Sequence, residues 1–547
     1  MSRIQHGMRY LSTFGLRYTL RRSREKLSEQ LLHRWDRRWR NSFSASEAEL
    51  AFQREHQPKG EIISVLIPVY NPSLDYLRDL IESLRRQTLQ NWEACFCNTG
   101  DQTAVRELLD QAQGEDSRIR ILHSSTNAGI SGNTNQALAM ARGEWVVLCD
   151  HDDLLPPDAL WRLAEAIEKR SPDMIYTDED KVTQDGRWHT DPHFKPDFCP
   201  DNLRSGNYIC HLLAARRKLV ERAGGLRSAY DGSQDHDLAL RLSELTDRIV
   251  HLPFIGYHWR SVQSSMSHQH LERCLDASCR AVEDHLQRLG WPAQVTAEDG
   301  ILRLRYQLRP LTGAVLITAE DERSAHKKAF ELQSVLPTGV GIRFVLPESE
   351  DAWYASVNQA VAESTEDLLL LVDVSVSRFS KGFYDELAMY AQREDVGFVT
   401  PQLTDRRGRI THAGFAVGLA GGLQCRNRGL PGKAAGWHLL NRQSHNVGAV
   451  SPACCMFRRE AWQPLDPAYR PAFGLADLCL RLTRSGLWHV YTPHARAVCT
   501  RKDLLLTGRA RAADDLQRFE QSWKGWQDPC WNPGFSGKHA DFSVRED

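Results

Sequence analysis

No stretch of this chain comes near the roughly 18 consecutive apolar residues of a membrane span. The run Leu368 to Val372 has only the length of a buried strand. The amino-terminal residues hold no continuous apolar core, which argues against a secretory signal. No CxxC pair occurs among the 13 cysteines, so neither zinc spacing nor a disulfide framework is indicated. Unpatterned thiols such as Cys149, Cys210 and Cys479, set in apolar runs, suit a reducing cytoplasm. An excess of either charge is also missing. The formal net charge is −1 over 547 residues, so no global field draws nucleic acid.

The exception is local. The first forty residues carry eleven Arg and Lys against Glu25, Glu29 and Asp36, with Leu16, Leu20, Leu27, Leu31, Trp35 and Trp39 interleaved. Residues 1–60 therefore read as a basic amphipathic helical segment. Such a segment can lie as a peripheral contact on anionic lipid, or pack on the body of the protein with its arginines solvated.

A chain this long exceeds one core and is expected to divide into domains. From Ile62 onward, short β-branched and apolar runs alternate with helical spacing: a strand to Val69, a helix from Leu74, a strand at Glu93–Cys97, a helix at Ala104–Gln113 and a strand at Ile119–His123. That alternation predicts an α/β fold with a mainly parallel, doubly wound, Rossmann-like sheet. Residues 127–135 read as a polar, Gly-containing loop that opens a helix at Gln136, a place where helix amino termini accept phosphate. Trp145–Cys149 is a strand buried on both faces, and Asp150, Asp152 and Asp153 crowd its carboxyl end. Ligands of open α/β sheets bind there. Carboxylates packed this closely repel unless a cation neutralises them, and hard oxygen donors suit Mg²⁺ or Mn²⁺. An acidic turn leading to the helix near Pro156 and Pro157 is the plainer alternative.

The series Ile67-Pro68-Val69-Tyr70-Asn71, Asn127 with Gly129 and Ser131, Asn135, Gly143-Glu144 and Asp150-His151-Asp152-Asp153 resembles the family-two glycosyltransferases. The likeness continues through Asp178-Glu179-Asp180, Phe194-Lys195-Pro196, Asn207-Tyr208-Ile209, Gln234-Asp235-His236-Asp237 with Arg241, and Tyr257-His258-Trp259-Arg260. The resemblance implies a GT-A fold and a metal-dependent, inverting enzyme that takes sugar from a nucleotide diphosphate. It assigns donor binding to Pro68, Tyr70, Asn71, Asn98, Gly129, Ser131, Asn135 and Asp150. It assigns the metal to Asp150 and Asp152, with Asp153 supporting and His258 as a further ligand. Asp235 is implied as the catalytic base, with Asp237 as helper or substitute; both could instead be helix caps. Asp178-Glu179-Asp180 could orient acceptor hydroxyls or form an acidic surface loop, and Lys195 could reach a phosphate or be solvated. Asn98 stands where the family commonly has an aspartate on the nucleotide base, which leaves UDP-, dTDP- and GDP-linked donors open.

From about residue 311 the pattern repeats, as two copies of a domain would. Leu368–Asp373 echoes the carboxylate strand, but its acidic element is reduced to Asp373-Val-Ser375. Leu475 stands at the position of Asp235, and Asp477 at that of Asp237. The expected organisation is residues 1–60 as the basic segment, 61–305 as a catalytic GT-A domain, 306–500 as a degenerate GT-A-like domain and 501–547 as a tail packing on the body. The expected function is transfer of sugar to a growing, lipid-linked surface glycan of the O-antigen or capsule kind, at the inner face of the cell membrane. The alternatives are a non-catalytic glycan-binding scaffold, a transferase active in both domains, or a nucleotidyltransferase.

Overall fold

The computed structural model describes residues 43–60, 62–261, 271–349, 352–419, 422–469, 471–500 and 509–545. Most of the basic segment, including Leu16 to Trp39, lies outside the described residues. Its last part is the helix Glu47–Glu55, started by a capping box in which Ser46 and Glu49 exchange hydrogen bonds. Among the described residues no helix is long and apolar enough to cross a membrane.

The first sheet contains β1 (Ile63–Val69), β2 (Trp92–Asn98), β3 (Ile119–His123), β4 (Trp145–Leu148), β5 (Met174–Val182), β6 (His189–His193), β7 (Leu213–Arg216) and β8 (Ile249–Arg260). Its order is β3-β2-β1-β4-β7-β5-β6, with β8 also on β5. Strands β3, β2, β1 and β4 are parallel. Strands β2, β1 and β4 are buried along their whole length because helices cover both faces, whereas β3 at the sheet edge is buried only at Ile119. Gly143 is fixed by this packing: a Cβ there would lie 2.2 Å from the Ile62 carbonyl oxygen. The departure from simple alternation is β7, which enters antiparallel between β4 and β5. It carries the segment before it, residues 207–212, to the carboxyl ends of the parallel strands.

A hairpin of β9 (Ala293–Glu298) and β10 (Ile301–Tyr306) precedes the second sheet. That sheet holds β11 (Gly313–Thr318), β12 (Gly341–Val345), β13 (Leu368–Asp373), β14 (Val376–Ser377), β15 (Val396–Thr404), β16 (Ile410–His412), β19 (His445–Asn446), β20 (Cys454–Arg458) and β21 (Trp488–Cys499), while β17 (Phe415–Leu419) and β18 (Gly422–Cys425) pair separately. Its order β12-β11-β13-β20-β15-β21 repeats β2-β1-β4-β7-β5-β8 strand for strand, with β20 antiparallel between its neighbours as β7 is. The chain is therefore α/β with two tandem domains of one topology.

The domains meet through buried charge. Arg393 and Asp201, both almost wholly buried, form an ion pair extended by Asp395 and Arg204. Asn446 exchanges amide hydrogen bonds with Asp201 and Asn202. The tail packs across both domains. Trp531, Phe535 and Phe542 share an apolar cluster with Phe194 of the first domain and Ala416 and Leu419 of the second.

Candidate active site

Tyr257 organises the loop after β4. Buried on β8, its hydroxyl donates to Asp153 Oδ2 at 2.7 Å and accepts from the Asp150 amide at 3.1 Å. Arg260, next-but-two on that strand, donates its amide to Asp153 Oδ1 and its Nε to the Asp152 carbonyl, both at 2.7 Å. His151 Nδ1 lies 3.0 Å from the Pro68 carbonyl, tying the loop to the end of β1.

Held this way, the carboxylates repel. Burial pushes the Asp153 carboxyl well above its ordinary range, and the charges of Asp152 and Asp150 add to it. Burial likewise raises Asp150, with Asp152 and Asp235 contributing and His211 and His151 opposing. Ligand atoms of Asp150, Asp153 and His211 lie within 4.8 Å of one another. His211 Nε2 is 3.7 Å from Asp150 Oδ2, and its buried Nδ1 has no hydrogen-bond partner. Two under-compensated carboxylates and an imidazole match the donors Mn²⁺ or Mg²⁺ accepts, so the residues fit a divalent ion. Asp152 borders this group, but its carboxylate is not one of the three converging donors. His211 was not singled out by the motifs; only its nearness to Asn207-Tyr208-Ile209 pointed that way.

His258, expected as a metal ligand, directs its ring elsewhere. Its Nδ1 lies 2.6 Å from Asp180 Oδ1, and His189 Nδ1 lies 2.7 Å from the other oxygen. The structure thus places it in a separate Asp180–His189–His258 group, away from Asp150 and Asp153.

Asp178, Glu179 and Asp180 are almost fully buried on β5, which rules out an acidic surface loop. Asp178 accepts from the Lys195 amide, His251 Nε2 and Asn532 Nδ2 of the tail. Glu179 Oε2 accepts from Lys195 Nζ at 3.3 Å and the His211 amide at 3.2 Å. Burial drives the Glu179 carboxyl up, but the Lys195 ammonium, His193 and His211 more than offset it and bring it to about 2. Lys195 is not solvated. Fully buried, it also donates to the carbonyls of Ile209 and His211. It fixes the loop that presents His211, and its three donors are all spent there.

Asp235 sits in the first turn of the helix Gln234–Ser243, half-buried, with Oδ2 accepting from Asn207 Nδ2 at 2.7 Å. It forms a group with Cys210 and His211. Asp237 is different. Its carboxylate is fully buried and paired with Arg227 and with Arg241, so its lone pairs are occupied and a substitute-base role is corrected to a packing one.

The helix expected from Gln136 begins at Gly129, because the polar residues of 129–135 turn inward. Ser131 donates its hydroxyl and amide to Asp231, and Asn135 bonds both backbone groups of Leu226. Gly129, in the left-handed region at φ 76°, has no room for a Cβ beside Asp231. Asp231 thus occupies the helix amino terminus where phosphate was expected. Gly129, Ser131 and Asn135 position the loop leading to Asp235, and the polar atoms of Ser131 and Asn135 are engaged there rather than turned toward a donor. Near β1, Asn71 (φ 46°) and Asp101 bond each other reciprocally. Asn98 is buried against His123 and the Gly100 amide. Tyr70 is 54% exposed beside them, the open face of the expected donor set.

Among its described residues, the second domain has no counterpart of this machinery. Asp373 accepts from the Ser375 amide and Thr318, Leu475 is fully buried, and Asp477 pairs with Arg481 as Asp237 does with Arg241. Trp523 of the tail donates to Asp477 and covers it. Among the described residues, every group of converging metal donors lies in the first domain.

Residues 64–223 match the model of Glycosyl transferase family 2. The uncharacterized protein y4gI of Sinorhizobium fredii is 30% identical over 93% of this chain and 61% of its own length. O-antigen biosynthesis protein RfbC of Myxococcus xanthus is 30% identical over 88% of this chain and 41% of its own. The chain thus spans only part of either relative. Among solved structures, S. aureus TarS 1–349 in complex with UDP aligns with TM-score 0.34 and 20% identity, over 41% of this chain and 65% of that one.

Proposed function

We propose that this chain, whose residues 64–223 form a glycosyl transferase family 2 domain, moves a sugar from a nucleoside diphosphate donor to a growing bacterial surface glycan. One observation carries the reading. His211 belongs both to the group of Asp150 and Asp153 and to the group of Asp235 and Cys210, so the fitted cation site and a half-buried carboxylate share one wall.

The acceptor hydroxyl oxygen attacks the anomeric carbon on the face opposite the diphosphate. The bond from that carbon to the diphosphate oxygen breaks, its electron pair leaves with the nucleoside diphosphate, and the hydroxyl proton passes to Asp235. Asn207 keeps the Asp235 carboxylate oriented through its 2.7 Å hydrogen bond. A single base on one face gives inversion. A divalent ion, Mg²⁺ or Mn²⁺, held by Asp150, Asp153 and His211 with Asp152 adjoining, would neutralise charge gathering on the leaving diphosphate. The O-antigen name of the Myxococcus relative supports a surface polysaccharide as product. In the same reading the acceptor is lipid-linked, and the basic residues 1–60 meet the cytoplasmic membrane face. The second domain, with Asp373 and Leu475 in place of a paired acid site and base, does not turn over donor.

The test is the product released from UDP-, dTDP- and GDP-sugars incubated with the full chain and Mn²⁺. A nucleoside diphosphate, released slowly to water or faster with acceptor, is the expected product. Pyrophosphate would indicate a nucleotidyltransferase instead, and no turnover of any donor would leave a glycan-binding scaffold.

A further inference from the structure

The second domain touches the first domain's site at the segment Trp437–Arg442. Its backbone is costly: Gly436 (φ 69°) is followed by His438 (φ 40°, ψ 43°) and Leu439 (φ 68°, ψ 2°), two side-chain-bearing residues in the left-handed region. Surrounding contacts hold it. Asn441 bonds the carbonyl of Ala434 through its side chain and that of Ala435 through its amide. Trp437 packs edge-on against Phe535 of the tail at 5.1 Å. Strain of this kind persists where neighbours over-determine it, and such positions cluster at functional sites.

What the strained turn delivers is one imidazole. His438 stacks on His193 with ring centroids 4.1 Å apart and planes 20° from parallel, and its Nε2 lies 3.1 Å from the Pro192 carbonyl. His193 Nδ1 lies 3.2 Å from Glu179 Oε1. The other oxygen of Glu179 receives the His211 amide and the Lys195 ammonium, and His211 faces Asp150. A continuous set of contacts thus runs from the second domain to His211, whose Nε2 lies 3.7 Å from Asp150 Oδ2 at the candidate cation site.

We propose that the second domain serves the first domain's site through His438, a positioning residue whose stacked ring holds His193 Nδ1 on Glu179 and thereby sets His211 beside Asp150. The inference rests on the reading that Asp150, Asp153 and His211 receive a divalent ion. It gives the degenerate domain a task that needs no carboxylate pair of its own. His438 touches no reacting atom; its effect is on the geometry of a ligand three contacts away.

Mn²⁺ alone is the probe, titrated into the full chain with unbound Mn²⁺ read by electron paramagnetic resonance and the melting temperature recorded in parallel. Residues that orient metal ligands typically change affinity about 10- to 100-fold, and His438→Ala is expected to weaken Mn²⁺ binding about tenfold. His438→Phe keeps a flat ring on His193 and is expected to recover most of that affinity. Wild-type affinity in His438→Ala overturns the inference. So does a His438→Phe variant as weak as His438→Ala, because the loss then follows the damaged turn rather than the missing ring. Asp150→Ala separates the two claims: if it binds Mn²⁺ as wild type does, the cation-site reading fails and the inference falls with it.

Discussion

Asp235→Asn is expected to lower sugar transfer by about 10²- to 10⁴-fold, the usual contribution of a positioned general base, with the melting temperature unchanged. The amide has the shape of the carboxylate and its oxygen can keep the 2.7 Å contact with Asn207, so the first turn of the helix Gln234–Ser243 stays intact. What it loses is the ability to take the acceptor proton. Asp237→Asn is the internal contrast. That carboxylate is buried between Arg227 and Arg241, so its loss strands guanidinium charge. Its effect should appear as lost stability, while the folded fraction keeps turning over. Single-turnover rates on both variants, measured beside their melting curves, separate the two roles. Wild-type turnover in Asp235→Asn would remove Asp235 from the chemistry.

Lys195→Met is expected to cost about 3–5 kcal/mol of stability, the range for removing one partner of a buried ion pair. Lys195 is fully buried and Glu179 nearly so. Without the ammonium, the Glu179 carboxylate is left in a dry site, and the carbonyls of Ile209 and His211 lose their donor. The pH dependence carries a second signature. In the native chain the Glu179 carboxyl is held at about 2, below its ordinary 4.5. Its contribution is therefore complete above about pH 4.5 and lost as pH falls toward 2. In Lys195→Met, burial acts on Glu179 without that offset, so the slope in this window should flatten or reverse. Denaturant midpoints between pH 6 and pH 3 check both statements. A variant within about 0.5 kcal/mol of wild type, the scatter of ordinary surface substitutions, would show that the pair does not hold the His211 loop.

Where burial writes itself into composition, the fold was legible. Strands β1, β4 and β13 are predominantly apolar runs, and the repeat is visible because Leu368–Asp373 and the helix carrying Asp477 copy their counterparts in the first half. The acidic cluster at Asp150 to Asp153 was legible for the same reason, since charge at the end of a buried strand stands out. Residues whose role depends on a distant partner were not. Residues 129–135 looked like a loop because they are polar, yet Ser131 and Asn135 spend their polar atoms on Asp231 and Leu226, about a hundred positions away. His211 is a lone histidine in an apolar context; it reaches Asp150 only because β7 inserts antiparallel next to β4. His258 sits within the expected motif, but Asp180, reached across the β5–β8 pairing, takes its ring. His438 carries no local signal at all, since its partner His193 belongs to the other domain.

The most direct measurement is a thermal-shift titration of the full chain with UDP, dTDP and GDP, each with and without Mn²⁺, on wild type and Asp150→Ala. A ligand bound only to the native state adds about 2.7 kcal/mol at 100 times its dissociation constant, a shift of several degrees. The account predicts that one nucleoside diphosphate raises the melting temperature only when Mn²⁺ is present, and that Asp150→Ala abolishes the shift. A metal-independent shift, one that survives Asp150→Ala, or none with any of the three at millimolar concentration, would contradict it.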